Sequence, residues 1–229
     1  MYKRQVLAIS AASLSQRLLW NAAGIAAGVA IAALIVRIDR HARARLLPSG
    51  AYSLRAPLGV LYAVMSLLVA ALTTEIFVPY FLQVVHQQTP LAAGYMTAMM
   101  AGGWTVASVY SAGRSALQAH RLIRISPWVV FTAIVALAAT MPVTVWNPAW
   151  FGTVIYCVAL TAVGFGIGLA WPHLLTRVFS AAAPGEENLA SSSITTVQLY
   201  ATALTAALAG VVANACLLYT SDAADDSLR

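Results

Sequence analysis

The run FGTVIYCVALTAVGFGIGLAWPHLLT, Phe151 to Thr176, contains no Asp, Glu, Lys or Arg. It is too long for a buried strand, and a helix of about 20 apolar residues already crosses a 30 Å hydrocarbon core. Its Ala and Leu content and its lack of polar alternation argue against a barrel strand. The same kind of run recurs on either side, at Leu18–Val36, Ala56–Val85, Leu91–Ala112, Ile125–Trp146 and Leu189–Asn214. The composition agrees: 61% of the 229 residues are hydrophobic and only 9% charged. A soluble chain carries about 25% charge to solvate its surface, so a soluble globular domain is excluded. Cys157 and Cys216 are too few for a disulfide scaffold. The net charge of +6 is scattered between apolar runs, which excludes a nucleic-acid-binding surface. The expectation is an all-α integral membrane protein with about six transmembrane helices, its natural partner the lipid bilayer.

The loops orient the bundle. Arg37, Asp39, Arg40, Arg43, Arg45 and Arg55 crowd the first loop, Arg114, Arg121 and Arg124 the third, and Arg177, Glu186 and Glu187 the fifth. The second loop, around His86 to Pro90, and the fourth, around Asn147-Pro148, have no Lys or Arg. Basic loops stay in the cytoplasm, so the odd loops are placed inside and the even loops outside. Trp146 and Trp150 bracket the fourth loop, where indoles favour the membrane interface.

The two ends are set apart. The codons for Tyr2–Gln5 and for Cys216–Tyr219 can be written as opposite strands of one short DNA element, similar to an adapter of transposase-based sequencing libraries. Residues 1–5 and 216–229 are therefore expected to be adapter-derived, and 6–215 to be one transmembrane helical domain from a longer protein.

Within the helices, Gly164-Phe165-Gly166-Ile167-Gly168 is no dinucleotide loop, because it interrupts an apolar helix with no strand before it. Close helix contact is the expected meaning. Pro172 removes the hydrogen bond to the carbonyl of Gly168, which leaves either a rigid kink or a flexible inner half. Gly24 and Gly28 offer a second small-residue face, for static packing or for sliding. No pair of the histidines His41, His86, His120 and His173 has metal-ligand spacing on one helix, so no metal and no cofactor are expected. No nucleophile–base pair is visible either, so an enzyme is not expected. Glu186 and Glu187 read as a solvated helix start, where the helix dipole favours acids.

Glu75 is the only acid within a spanning run. An ionised acid or base costs about 2.5–3.5 kcal/mol at a helix centre, so such a residue faces a cavity or a partner, or else snorkels to water. Pro79 lies four residues on and opens the backbone beside it.

Several stretches together carry a resemblance. Gly164-x-Gly-x-Gly168, Trp171-Pro172, Pro184-x-Glu186-Glu187, Ala190-Ser191 and Gln198 stand in sequence. So do Leu46-Leu47-Pro48, Val78-Pro79-Tyr80-Phe81-Leu82-Gln83 and Thr89-Pro90-Leu91-Ala92-Ala93-Gly94. This pattern resembles the major facilitator superfamily, closest to its drug:proton antiporters, over nearly all of 6–215. Two departures stand out: Leu117 falls where that family often has an Asp, and Ser191, Ser192 and Ser193 replace usual glycines. The resemblance implies a secondary transporter of the cell inner (plasma) membrane. It would exchange protons for small cationic or amphipathic compounds and would need the remaining helices of the parent. It marks Glu75 as a proton-coupling or substrate residue. Pro79, Gly164, Gly166, Gly168 and Pro172 become kink or gating positions, and Gln83 and Gln198 line the substrate path. The alternative is a non-catalytic membrane subunit or a permease component of a larger assembly.

Overall fold

The computed structural model describes residues 18–42, 45–143 and 149–226. Its elements, in order, are α1 (Leu18–His41), α2 (Pro57–Leu72), α3 (Thr74–Val84), α4 (Pro90–Ala112), α5 (Ala116–Thr140), α6 (Ala149–Ala181) and α7 (Glu187–Asp226). No strand occurs among the described residues. The chain is an all-α membrane protein, and the described part of each of the six apolar runs lies mainly on helix. Among the described residues, three helical stretches are long and apolar enough to cross a membrane: Pro57–Val84, Ala116–Thr140 and Trp150–Ala181, with 28, 25 and 32 residues. The helices α1, α4 and α7 have 24, 23 and 40 residues, so length suffices there too. In α4 the apolar character is diluted by Gly94, Thr97, Gly102, Gly103, Thr105 and Ser108.

Two boundaries differ from those expected. The fifth element begins at Ala116 rather than Ile125, because Ser115 and Gln118 form a reciprocal capping box. Arg121 and Arg124 therefore ride on the helix, and the third loop shrinks to Gly113, Arg114 and Ser115. The sixth extends to Ala181 and takes Arg177 with it. Trp146 and the Asn147-Pro148 turn lie outside the described residues, as do Met1–Gln5.

The chain divides into two compact units, one of residues 47–198 and one of residues 1–46 with 199–229. In the latter, α1 ends on Arg40 and His41, cations suited to the negative end of a helix. The buried Asp39 carboxylate accepts the backbone N–H of Leu46 and so holds the turn that follows.

The larger unit is built around α6. Leu160, Val163, Ile167, Ala170, Leu174 and Val178 recur at spacings of three and four and are at most 1% exposed. That stripe joins Leu58, Tyr62, Met65 and Leu68 of α2 and Met96 and Met100 of α4 in one core. The neighbours of α6 come close because glycines let them. A Cβ on Gly164 would overlap the carbonyl oxygen of Met100, and one on Gly168 would stand 2.9 Å from Ala107 Cβ, both on α4. Gly166 points the other way, where a Cβ would sit 2.5 Å from Val130 Cγ2 on α5. Two residues are about 200° on a helix, so alternate glycines serve opposite neighbours. From the α4 side, Gly103 faces the Thr161 carbonyl in the same manner.

The second span is interrupted. Thr73, at φ −63° and ψ −13°, separates α2 from α3, and its N–H bonds back to Ala70 O at 3.2 Å. Both hydroxyls of the threonine pair compete for the same turn: Thr73 Oγ1 donates to Ala70 O at 2.6 Å and Thr74 Oγ1 to Ala71 O at 2.8 Å. Pro79 removes a further donor one turn on, inside α3.

The segment after the C-terminal end of α3 closes on Gln87, whose φ of 53° is left-handed. Such a conformation costs a residue with a Cβ about 1–2 kcal/mol. Gln87→Gly is therefore expected to raise the thermal midpoint by about 2–4 °C. A fall instead would mean that the Gln87 Nε2 bond to Val84 O, at 2.9 Å, outweighs the relief of backbone strain.

Candidate functional site

The break at Thr73 places Glu75 in the first turn of α3. Unpaired backbone N–H groups at a helix start favour an acid there. The side chain is exposed, and no hydrogen bond or ion pair engages it among the described residues. Pro79 leaves the carbonyl of Glu75 without its helical donor, so charge and open backbone coincide as the sequence suggests. Gln83 turns its amide back on its own helix, Nε2 to Pro79 O at 3.1 Å. Gln198, on α7, is half-buried. No hydrogen bond among the described residues joins Glu75, Gln83 and Gln198.

Beside the break lies a groove of about 660 Å³ between the second span and α5. Ala70, Ala71 and Thr74 form one wall, and Trp128, Phe131 and Ile134 the other. Its size falls within the range of about 300–1,000 Å³ usual for small-molecule sites. Trp128 and Phe131 meet edge to face with centroids 6.4 Å apart, so the aromatic wall is ordered by its own contact.

Pro172 does not break α6, which stays helical through Ala181. The carbonyl that it frees, Gly168 O, faces two hydroxyls of α4, Ser108 Oγ and Ser111 Oγ, each at 3.4 Å. Two residues earlier, Ser126 Oγ of α5 donates to Gly166 O at 2.7 Å. Gly164, Gly166, Gly168 and Pro172 thus lie where α6 is tied to both neighbours. No metal-ligating group of three or more His, Cys, Asp or Glu side chains occurs among the described residues.

Three polar features escaped the sequence. On the expected inner side, Glu186 Oε2 accepts both the N–H of Ser49 at 2.8 Å and its hydroxyl at 2.7 Å. Glu186 therefore clamps the loop before α2 to the loop before α7, which a solvated helix start would not do. Nearby, the Tyr62 hydroxyl donates to Ala190 O at 3.1 Å, tying the same two helices from within. On the expected outer side, His86 Nε2 stands 2.9 Å from Met141 O and 3.1 Å from the Tyr156 hydroxyl, which donates to Thr140 O at 3.1 Å. That cluster joins the end of the second span to α5 and α6. Partners so far apart in sequence leave no local signal. A further histidine, His173 on α6, holds a buried Nε2 without a hydrogen-bond partner.

The chain is 38% identical over 211 residues to two proteins described as probable multidrug-efflux transporters, from two strains of Mycobacterium tuberculosis. The match covers 91% of this chain and 44% of each relative, so the chain spans under half the length of the curated relatives that it matches. No family model matches the chain, and no solved structure does.

Proposed function

We propose that this chain is part of a proton-driven efflux transporter of major facilitator type in the inner (plasma) membrane. The whole protein would export small cationic or amphipathic compounds, with Glu75 as the proton-coupling residue. The observation that carries this reading is the 38% identity, sustained over 91% of the chain, to proteins described as multidrug-efflux transporters. The local chemistry supports it. Discontinuous helices near mid-membrane are where transporters bind their ions and substrates, and the second span is discontinuous at Thr73. An acid with no partner stands at that discontinuity, beside a groove walled by Trp128 and Phe131. Membrane carboxylates serve as proton relays in pumps and transporters, the role that this reading gives Glu75.

The test uses the uninterrupted parent protein in proteoliposomes, with a lipophilic cationic dye as the probe. An imposed pH gradient is expected to drive dye movement, and a protonophore to abolish it. Movement driven by ATP and indifferent to the gradient would overturn the reading.

A further inference from the structure

The N-terminal part of α5 carries cations that no neighbouring acid answers. Arg121 and Arg124 are exposed, and no hydrogen bond or ion pair engages either among the described residues. The helices α2, α5 and α6 contain no Asp or Glu. Arg114, by contrast, is held against Tyr110, its guanidinium 4.1 Å from the ring centre.

Depth and direction relate the two arginines to the groove. At 1.5 Å per residue, Arg121 and Thr140 lie about 28 Å apart along α5, close to the thickness of a hydrocarbon core, about 30 Å. The arginines therefore reach the level of the lipid headgroups when the rest of the helix spans. At about 100° per residue, Arg124 projects between Phe131 and Trp128, and Arg121 about 20° beyond Trp128. Trp128 and Phe131 are the aromatic wall of the groove between the second span and α5. On α5 the groove starts at Pro127 and runs to Ile134, so its near end lies about 4.5 Å below Arg124 and it continues for about 10 Å. Apart from Thr74 its lining is apolar. It is also open to the side, since Leu67 and Trp128 on its two walls are each 69% exposed.

An apolar groove open to the bilayer and headed by two unpaired cations has the layout of a phospholipid, with an acyl chain below and a phosphate above. Basic pockets between helices at the membrane surface bind acidic headgroups, and the guanidinium fork matches phosphate geometry. A zwitterionic headgroup would bring a cation of its own, for which α2, α5 and α6 supply no carboxylate. A cationic dye entering the same groove would meet like charge at its head. We propose that an anionic phospholipid docks here, its phosphate on Arg121 and Arg124 and one acyl chain along the groove. This site goes beyond the transport reading and does not depend on it.

The test places the uninterrupted parent protein in phosphatidylcholine vesicles and adds lipids brominated in the acyl chain. The fluorescence of Trp128 is followed as the difference from Trp128→Phe. Brominated phosphatidylglycerol is expected to quench half of that signal at a mole fraction about fivefold lower than brominated phosphatidylcholine requires. Arg121→Gln combined with Arg124→Gln should bring the two lipids together, whereas Arg114→Gln should leave the preference in place. Should the double variant not insert, salt decides on the unmodified protein, where about 0.5 M sodium chloride should shrink the preference. Equal quenching by both lipids, a preference that survives the double variant, or one unchanged at high salt would overturn the proposal. So would a Trp128 signal that neither lipid quenches, the result expected if another helix of the parent covers the groove.

Discussion

Gly164→Ala is expected to unfold the bundle or to lower its stability by about 3 kcal/mol or more, although it adds one methyl group. The new Cβ would overlap the Met100 carbonyl oxygen and stand 2.7 Å from the carbonyl carbon. Overpacking a core usually costs about 1–3 kcal/mol when side chains can move aside. Here the obstacle is the backbone of α4, so relief requires the helices to part. Parting them also loosens Gly103 against Thr161, Gly168 against Trp104, and the two serine hydroxyls around Gly168 O. Gly94→Ala and Gly102→Ala supply the contrast on α4, because a Cβ at either position meets nothing within 4 Å. Those two should be neutral, or gain up to about 1 kcal/mol from helix propensity. Thermal or denaturant midpoints of the three variants decide the matter. If Gly164→Ala melts with Gly102→Ala, the close α4–α6 crossing is wrong.

Glu75→Gln in the uninterrupted parent is expected to leave expression intact and to reduce gradient-driven export to the level of vesicles without protein. The exchange keeps the shape of the side chain and removes only its ability to release a proton. Folding should tolerate it, because Glu75 is exposed and engages no partner among the described residues. Removing an ionisable group from a membrane segment should, if anything, ease insertion. Binding of the dye without a gradient should persist, since the groove walls Trp128 and Phe131 are untouched. Transport at the unmodified rate across an imposed pH gradient would show that coupling lies elsewhere, while leaving the efflux reading itself standing.

Helix positions were legible in the sequence because burial in lipid demands long charge-poor runs, and each run became helix. Their ends were less so. The start of α5 lies ahead of where the charge pattern puts it, because Arg121 and Arg124 read as loop charges although Ser115-x-x-Gln118 is a capping signature. The glycine run was legible as close contact. Which glycine met which neighbour depended on a rotation that only the assembled bundle shows. At Pro172 the freed carbonyl could be named from covalent structure, but not Ser108 and Ser111, which belong to another helix. Glu186 shows the limit most clearly. An acid after Gly185 at a helix start has a sufficient local reason to be there, so nothing pointed to Ser49, 137 residues away. Of the candidate site, Glu75 and Pro79 were readable from charge and chain chemistry, whereas the Thr73 step and the groove beside it required packing.

The Tyr62–Ala190 bond also sets an order of events during synthesis. Its two residues are 128 positions apart. At about 5–20 residues per second, a ribosome needs roughly 6–26 s to make the second after the first. Throughout that interval the phenolic hydroxyl of α2 has no native acceptor, and Ser49 likewise precedes Glu186 by 137 residues. The N-terminal end of α2 therefore remains provisional while α3 to α6 are inserted, and it reaches its final state only when the start of α7 arrives. Quality control acting on this protein would find its unfinished surface there, at a helix inserted early and completed late.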